Sequence, residues 1–244
     1  MICFHGYGGN YQITTDLKKS GLIDATLVSF NFPDHDLQEK SYDPHKASFG
    51  TIQELLPALY VLKKCIIDEA MDSIDLYGRS AGGGVLINLI ATLNSDRFNS
   101  ELQQIGIETA EKKRLLNAIQ NGLVILDVPL KSVEEIIAFR GSNTELEILA
   151  EHYRDNHMRP LDAVALLHGL SLNIIIHFQD PDEIMSNRDD KIYIEKINVV
   201  NQLGTTAVII GNDGGHQTVH QSLWQFYSEK LAEYSTCSLV SAKL

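Results

Sequence analysis

The order of apolar runs and turns predicts an α/β fold, a mostly parallel central sheet with helices on both faces. Three observations carry that expectation. Strand-sized apolar runs recur along the 244 residues, and each is followed by a turn and then by a stretch with apolar residues at helical spacing. The run at 172–177 is continuous in apolar character instead of alternating, as strands covered on both faces are. The chain is 44% hydrophobic and 21% charged, which is ample material for a core of this size.

Taken in order, residues 2–4 form a brief strand that runs into His5-Gly6-Tyr7-Gly8-Gly9, and 11–20 form a helix stopped by Gly21. Residues 25–32 favour a strand ahead of Pro33-Asp34-His35-Asp36. After a polar stretch to Phe49, residues 51–71 form a helix with Leu55, Leu56, Leu59, Leu62 and Ile66 as its core stripe. Residues 73–77 and 81–93 make a third strand–helix unit, and 122–129 with 133–139 a fourth. The polar segment 94–120 is a partly helical surface excursion. Residues 140–169 read either as a small lid, placed within 131–171, or as the crossover that parallel strands require. Strands at 172–177 and 207–210 and an amphipathic helix at 219–234 close the chain. Nothing resembles a repeat or a linker, so 1–244 is expected to be a single domain.

Composition narrows the function classes. A net charge of −12 disfavours nucleic acid and anionic membrane as partners, because phosphates would repel such a surface. Cys3, Cys65 and Cys237 are odd in number and far apart, which fits a reducing compartment and offers neither a disulfide framework nor a Cys-x-x-Cys metal pattern. With no basic leader and no apolar run of spanning length, the expected location is the cytoplasm.

In an open parallel sheet reactive groups gather at the carboxyl ends of the strands. The loops there carry, in order, His5 with its glycines, Ser80 within Gly78-Arg79-Ser80-Ala81-Gly82, Asp180-Pro181-Asp182, and Gly214-Gly215-His216. Glycines flanking a serine on a sharp strand-to-helix turn relieve collisions with the adjoining strand and helix.

Through the His5–Gly9 loop, the Gly78–Gly82 turn and Gly215-His216, the chain resembles the α/β-hydrolase superfamily over essentially its whole length. Phe30-Asn31-Phe32-Pro33-Asp34-His35-Asp36 is a looser echo of that family's segment after its fourth strand. The resemblance implies a nucleophile elbow at Ser80, His216 as its base and a carboxylate that orients the ring. It implies an oxyanion hole from the backbone N–H groups of Ala81 and Tyr7. For the acid, Asp182 is favoured because Ile184 and Met185 supply the aliphatic pair that follows it in the family. Asp180 is closer to the strand end, and Asp127 is the position some relatives use.

His5 is expected to shape the glycine loop, His177 to be a core or rim residue, and His220 to lie on the surface or in packing. The acidic run 180–190 reads as solvated loop, since it lacks the central glycine of a calcium loop. The expected activity is cleavage of a small ester or thioester through an acyl-serine, without metal or organic cofactor. Amide or peptide cleavage by the same residues, and a binding protein that has lost catalysis, stand as alternatives. Relatives have strands before the His-Gly loop, so the sheet is expected either to be minimal at its amino-terminal end or to begin upstream.

Overall fold

The structure is a computed structural model that describes residues 1–7, 9–21, 23–33, 48, 50–180, 182–185, 189–212, 215–216 and 220–241, the last nine of these by their backbone alone. The sequence echo at Asp34-His35-Asp36, together with Gly8, Pro181, Gly214 and the thiol of Cys237, lies outside the described residues.

In chain order the elements are β1 (Ile2–Phe4), α1 (Ile13–Lys19), β2 (Val28–Ser29), α2 (Ile52–Lys63) with a π turn at Lys64–Asp68, β3 (Leu76–Arg79), α3 (Ala81–Asn94), α4 (Asn99–Gln104), α5 (Thr109–Gln120) and β4 (Leu123–Asp127). There follow α6 (Val133–Arg140), α7 (Thr144–Asp155), α8 (Pro160–Ala163), β5 (Asn173–Gln179), α9 (Asp190–Val200), β6 (Thr205–Gly211) and α10 (Gln221–Ser241). The strands form one sheet in the order β2-β1-β3-β4-β5-β6, and every neighbouring pair is parallel. The chain leaves β1 toward β2 and then crosses back to β3 on the other side. That reversal opens a crevice beyond the carboxyl ends of β1 and β3, where ligands bind in open α/β sheets.

Strand alternation feeds two cores. Ile2, Phe4, Leu76, Val124, Leu126, Ile174 and Ile176 face the larger one, packed by α2, α3 and α5. Cys3, Tyr77, Leu123, Ile125 and Ile175 face the other, closed by Leu17 of α1 and by Leu223, Trp224 and Tyr227 of α10. Helices therefore cover both faces, which is why the strands carry little polar surface. Residues 81–93 of α3 are buried without exception. Each fully buried leucine, such as Leu86 or Leu89, contributes about 1.5–3 kcal/mol.

The elements depart from the sequence expectation in three places. The expected strand at 25–32 pairs only at Val28 and Ser29, because its partner β1 is three residues long and its register ends with Cys3 opposite Ser29. The strand expected at 73–77 lies at Leu76–Arg79, since pairing with Val124–Asp127 keeps Gly78 and Arg79 in the ladder right up to the turn at Ser80. The helix α9 was not anticipated. Its buried residues are Tyr193 and Ile197, with Ile194 and Val200 partly buried against the larger core and Ile192 and Val199 exposed. Among the described residues no helix is long and apolar enough to cross a membrane.

Candidate active site

The turn at Ser80 begins with its backbone. Ser80 has φ 52° and ψ −122°, a left-handed region that a side chain enters at a cost of about 1–3 kcal/mol. Its surroundings hold it there. The Ser80 N–H donates to the Asp127 carbonyl at 2.9 Å, and its carbonyl accepts from the N–H groups of Gly83 and Leu130, each at 2.9 Å. The flanking glycines are required by close approach. A Cβ on Gly78 would lie 2.6 Å from the Gly82 carbonyl oxygen, and one on Gly82 would lie 2.3 Å from the carbonyl oxygen of Phe4. The start of α3 is thus pressed against the end of β1.

His216, 2% exposed, comes from the segment ahead of α10, and its Nε2 stands 2.9 Å from Ser80 Oγ. Its Nδ1 meets Asp182 Oδ2 at 2.7 Å. The other oxygen of Asp182 accepts the backbone N–H groups of Ile184 at 2.7 Å and Met185 at 2.8 Å. Burial alone would raise the Asp182 pKa. The bonds from His216, Met185 and Ile184 outweigh burial and hold the carboxyl below its ordinary range. Of the three carboxylates considered from sequence, Asp182 is therefore the one on the His216 ring. Asp180 is exposed and its backbone N–H donates to the Gly211 carbonyl, while the Asp127 carboxylate is buried on other partners.

Beyond β1 the chain bends over the same serine. A Cβ on Gly6 would sit 3.3 Å from Ser80 Cβ, tight enough that one of the two would have to give by a few tenths of an ångström. His5 shapes that loop, its Nδ1 donating to the Gly6 carbonyl at 2.8 Å and its Nε2 accepting the Phe32 N–H at 3.4 Å. Burial lowers its pKa, in keeping with a neutral ring that both donates and accepts. Ala81 is the first residue of α3, so its N–H lies outside the helix's own ladder. Tyr7 and Ala81 both border the space beside Ser80 and His216.

No family model matches the chain, and no curated protein matches it. Solved structures do. An inhibited esterase B from Lactobacillus rhamnosis covers 100% of this chain and 79% of its own at 12% identity, with a TM-score of 0.67. A lipase/esterase from Lactobacillus plantarum covers 96% and 85% at 16% identity, with a TM-score of 0.62. This is the α/β-hydrolase fold. A third example is Est1E from Butyrivibrio proteoclasticus with ferulic acid bound, covering 98% and 88% at 13% identity and a TM-score of 0.57.

On this α/β-hydrolase fold two lobes meet at Ser80 and His216. One, of about 380 Å³, is polar and is bordered by Asn10, Gln12, Asp16 and Arg79. The other, of about 490 Å³, lies under α6 and α7 and is the more apolar, bordered by Leu130, Val133, Ile136, Leu146, Leu149 and Ile184 but also by Arg140, Asn143 and Glu145. The segment treated as lid or crossover thus divides. Its α6 and α7 wall the apolar lobe, and α8 packs against α3 on the way to β5.

Sequence reasoning missed several residues that shape the site. The Arg79 guanidinium donates to the His216 carbonyl, Glu183 Oε1 accepts the His216 N–H at 2.8 Å, and the Tyr7 hydroxyl reaches Glu145 on α7. Adjacency to Ser80 and Asp182 was the only signal for the first two, and nothing local marks the third. His220 is fully buried, which settles the choice between surface and packing in favour of packing. Among the described residues one group, Asp127, His177 and His220, brings three metal-ligating atoms within 4.8 Å of one another. Both Asp127 oxygens already accept protein donors, which makes the group a hydrogen-bonded cluster in the core.

Proposed function

We propose that this protein is a serine hydrolase that cleaves a carboxylic ester or thioester of a small soluble substrate through an acyl-enzyme on Ser80. The observation that supports it most is the unbroken line from Asp182 through His216 to Ser80, at 2.7 Å and 2.9 Å. The esterases that share the fold support the same class of reaction.

In this reading His216 Nε2 takes the hydroxyl proton as Ser80 Oγ attacks the carbonyl carbon. Asp182 holds the ring in the tautomer that leaves Nε2 free to accept, and it stabilises the imidazolium that forms. The N–H groups of Ala81 and Tyr7 receive the oxyanion; losing one such donor typically costs about 2.7–4 kcal/mol of transition-state stabilisation. His216 then returns its proton to the departing alcohol or thiol. Water, deprotonated by the same nitrogen, attacks the acyl-serine, releases the acid and restores Ser80. The apolar lobe under α6 and α7 suits an aliphatic or aromatic group on one side of the scissile bond. The polar lobe suits a hydrophilic group on the other. We assign the reaction to a reducing, cytoplasmic setting on the cysteine pattern.

Short p-nitrophenyl esters and aminoacyl p-nitroanilides, offered to wild type and Ser80→Ala, test the reading. Ester turnover that vanishes in the variant is expected. Turnover of the anilides alone would move the protein to the amidases. Ester turnover retained in Ser80→Ala would remove Ser80 from the chemistry.

A further inference from the structure

A buried cluster beneath the site is not used by the proposed chemistry. The Asp127 carboxylate, at the end of β4, is fully buried. Its Oδ2 accepts the Tyr77 hydroxyl of β3 at 2.7 Å, and its Oδ1 accepts His177 Nδ1 of β5 at 2.8 Å. His220 Nε2 stands 3.9 Å from the same Oδ1, with its ring centroid 4.4 Å from that of His177. Cluster and reacting pair are joined at three points. The Asp127 backbone carbonyl holds the Ser80 N–H at 2.9 Å. His220 lies four residues beyond His216, on the stretch that leads into α10. Arg79, which stands opposite Asp127 in the β3–β4 register, donates its guanidinium to the His216 carbonyl.

We infer that Asp127 is a positioning residue that fixes the separation of His216 from Ser80. Its backbone holds the serine, and it stands beside His220 and Arg79, one four residues beyond His216 and the other bonded to the His216 carbonyl. The inference rests on the reading of Ser80 and His216 as the reacting pair. The charge is essential to it. An amide of the same shape must turn its NH₂ toward either the Tyr77 hydroxyl or the His177 N–H, so at least one existing bond is lost or reversed. Misplacement of a catalytic group by about 1 Å can cost about a hundredfold in rate while leaving substrate contacts in place.

The test compares wild type, Asp127→Asn and His220→Asn in steady-state turnover of p-nitrophenyl butyrate, in the rate of inactivation by a phosphonate, and in thermal unfolding. For Asp127→Asn we expect kcat lower by about 10–100-fold, KM within about twofold, and inactivation slowed by the same factor as kcat. His220→Asn should lose about tenfold in kcat with KM held, and it decides the matter if Asp127→Asn does not fold. Folded variants with wild-type kcat and inactivation rate, whatever their melting temperature, overturn the inference alone. Neither variant folding would make the cluster a folding element and overturn it as well. A folded wild type that the phosphonate does not inactivate overturns the function reading and takes this inference with it.

Discussion

Glu54 on α2 and Tyr153 on α7 share a fully buried hydrogen bond of 3.0 Å, which ties the helix against the sheet to the helix that walls the apolar lobe. The second Glu54 oxygen accepts the Gly50 N–H, also at 3.0 Å. Burial pushes this carboxyl up to about 8, and those two bonds only partly oppose it. A carboxyl whose pKa is raised on folding stabilises most below its unfolded value of about 4.3, and that contribution is lost as pH rises toward 8. Glu54→Gln can donate to the Tyr153 oxygen while accepting from Gly50, with no charge to bury. Calorimetry from pH 5 to 9 should therefore show the variant gaining on wild type as pH rises, with the largest advantage above pH 8. Parallel curves would remove Glu54 as a buried titrating group.

Gly82 lies where a Cβ would stand 2.3 Å from the Phe4 carbonyl oxygen and 2.5 Å from that of His5. Both obstacles are backbone and cannot swing aside. Gly82→Ala should lose about 3 kcal/mol or more in urea unfolding, the upper end for overpacking. A loss under about 1 kcal/mol would mean that α3 is not pressed against β1 as described.

Arg79 holds the carbonyl of His216, so Arg79→Met should act on the proposed general base without touching the apolar lobe. A fall in kcat of about tenfold with KM little changed is expected in ester hydrolysis. A rise in KM at constant kcat would instead make Arg79 a substrate contact in the polar lobe.

Asp182 has one oxygen on His216 Nδ1 and the other on two backbone N–H groups. Asp182→Asn preserves the shape but favours the wrong tautomer of His216, and kcat should fall about ten-thousandfold. The corresponding change at Asp180, which is exposed, should leave kcat within about twofold. Reversal of these two results would reassign the acid.

The parts of this fold legible in the sequence were those with a strong local cause. Ser80 announced itself because a strained turn needs glycines at 78 and 82, and the apolar run Ile174-Ile175-Ile176 announced β5 because a strand buried on both faces has nothing polar to show. Elements set by distant partners were less visible. The shortness of β2 follows from the length of β1, and the shift of β3 from its register with β4. Within the site, Asp182 could be preferred from Ile184 and Met185. That Arg79 would reach the His216 carbonyl, or that Asp127 would gather Tyr77 and His177, depends on side chains 50 to 137 residues apart and has no local signature.

The central claim is that Ser80 is the nucleophile, and covalent labelling tests it most directly. Folded wild type treated with an alkyl fluorophosphonate should gain the mass of one phosphonyl group, peptide mapping should place it on Ser80, and Ser80→Ala should gain none. A folded wild type that stays unmodified, or a label mapped to any other residue, would contradict the account.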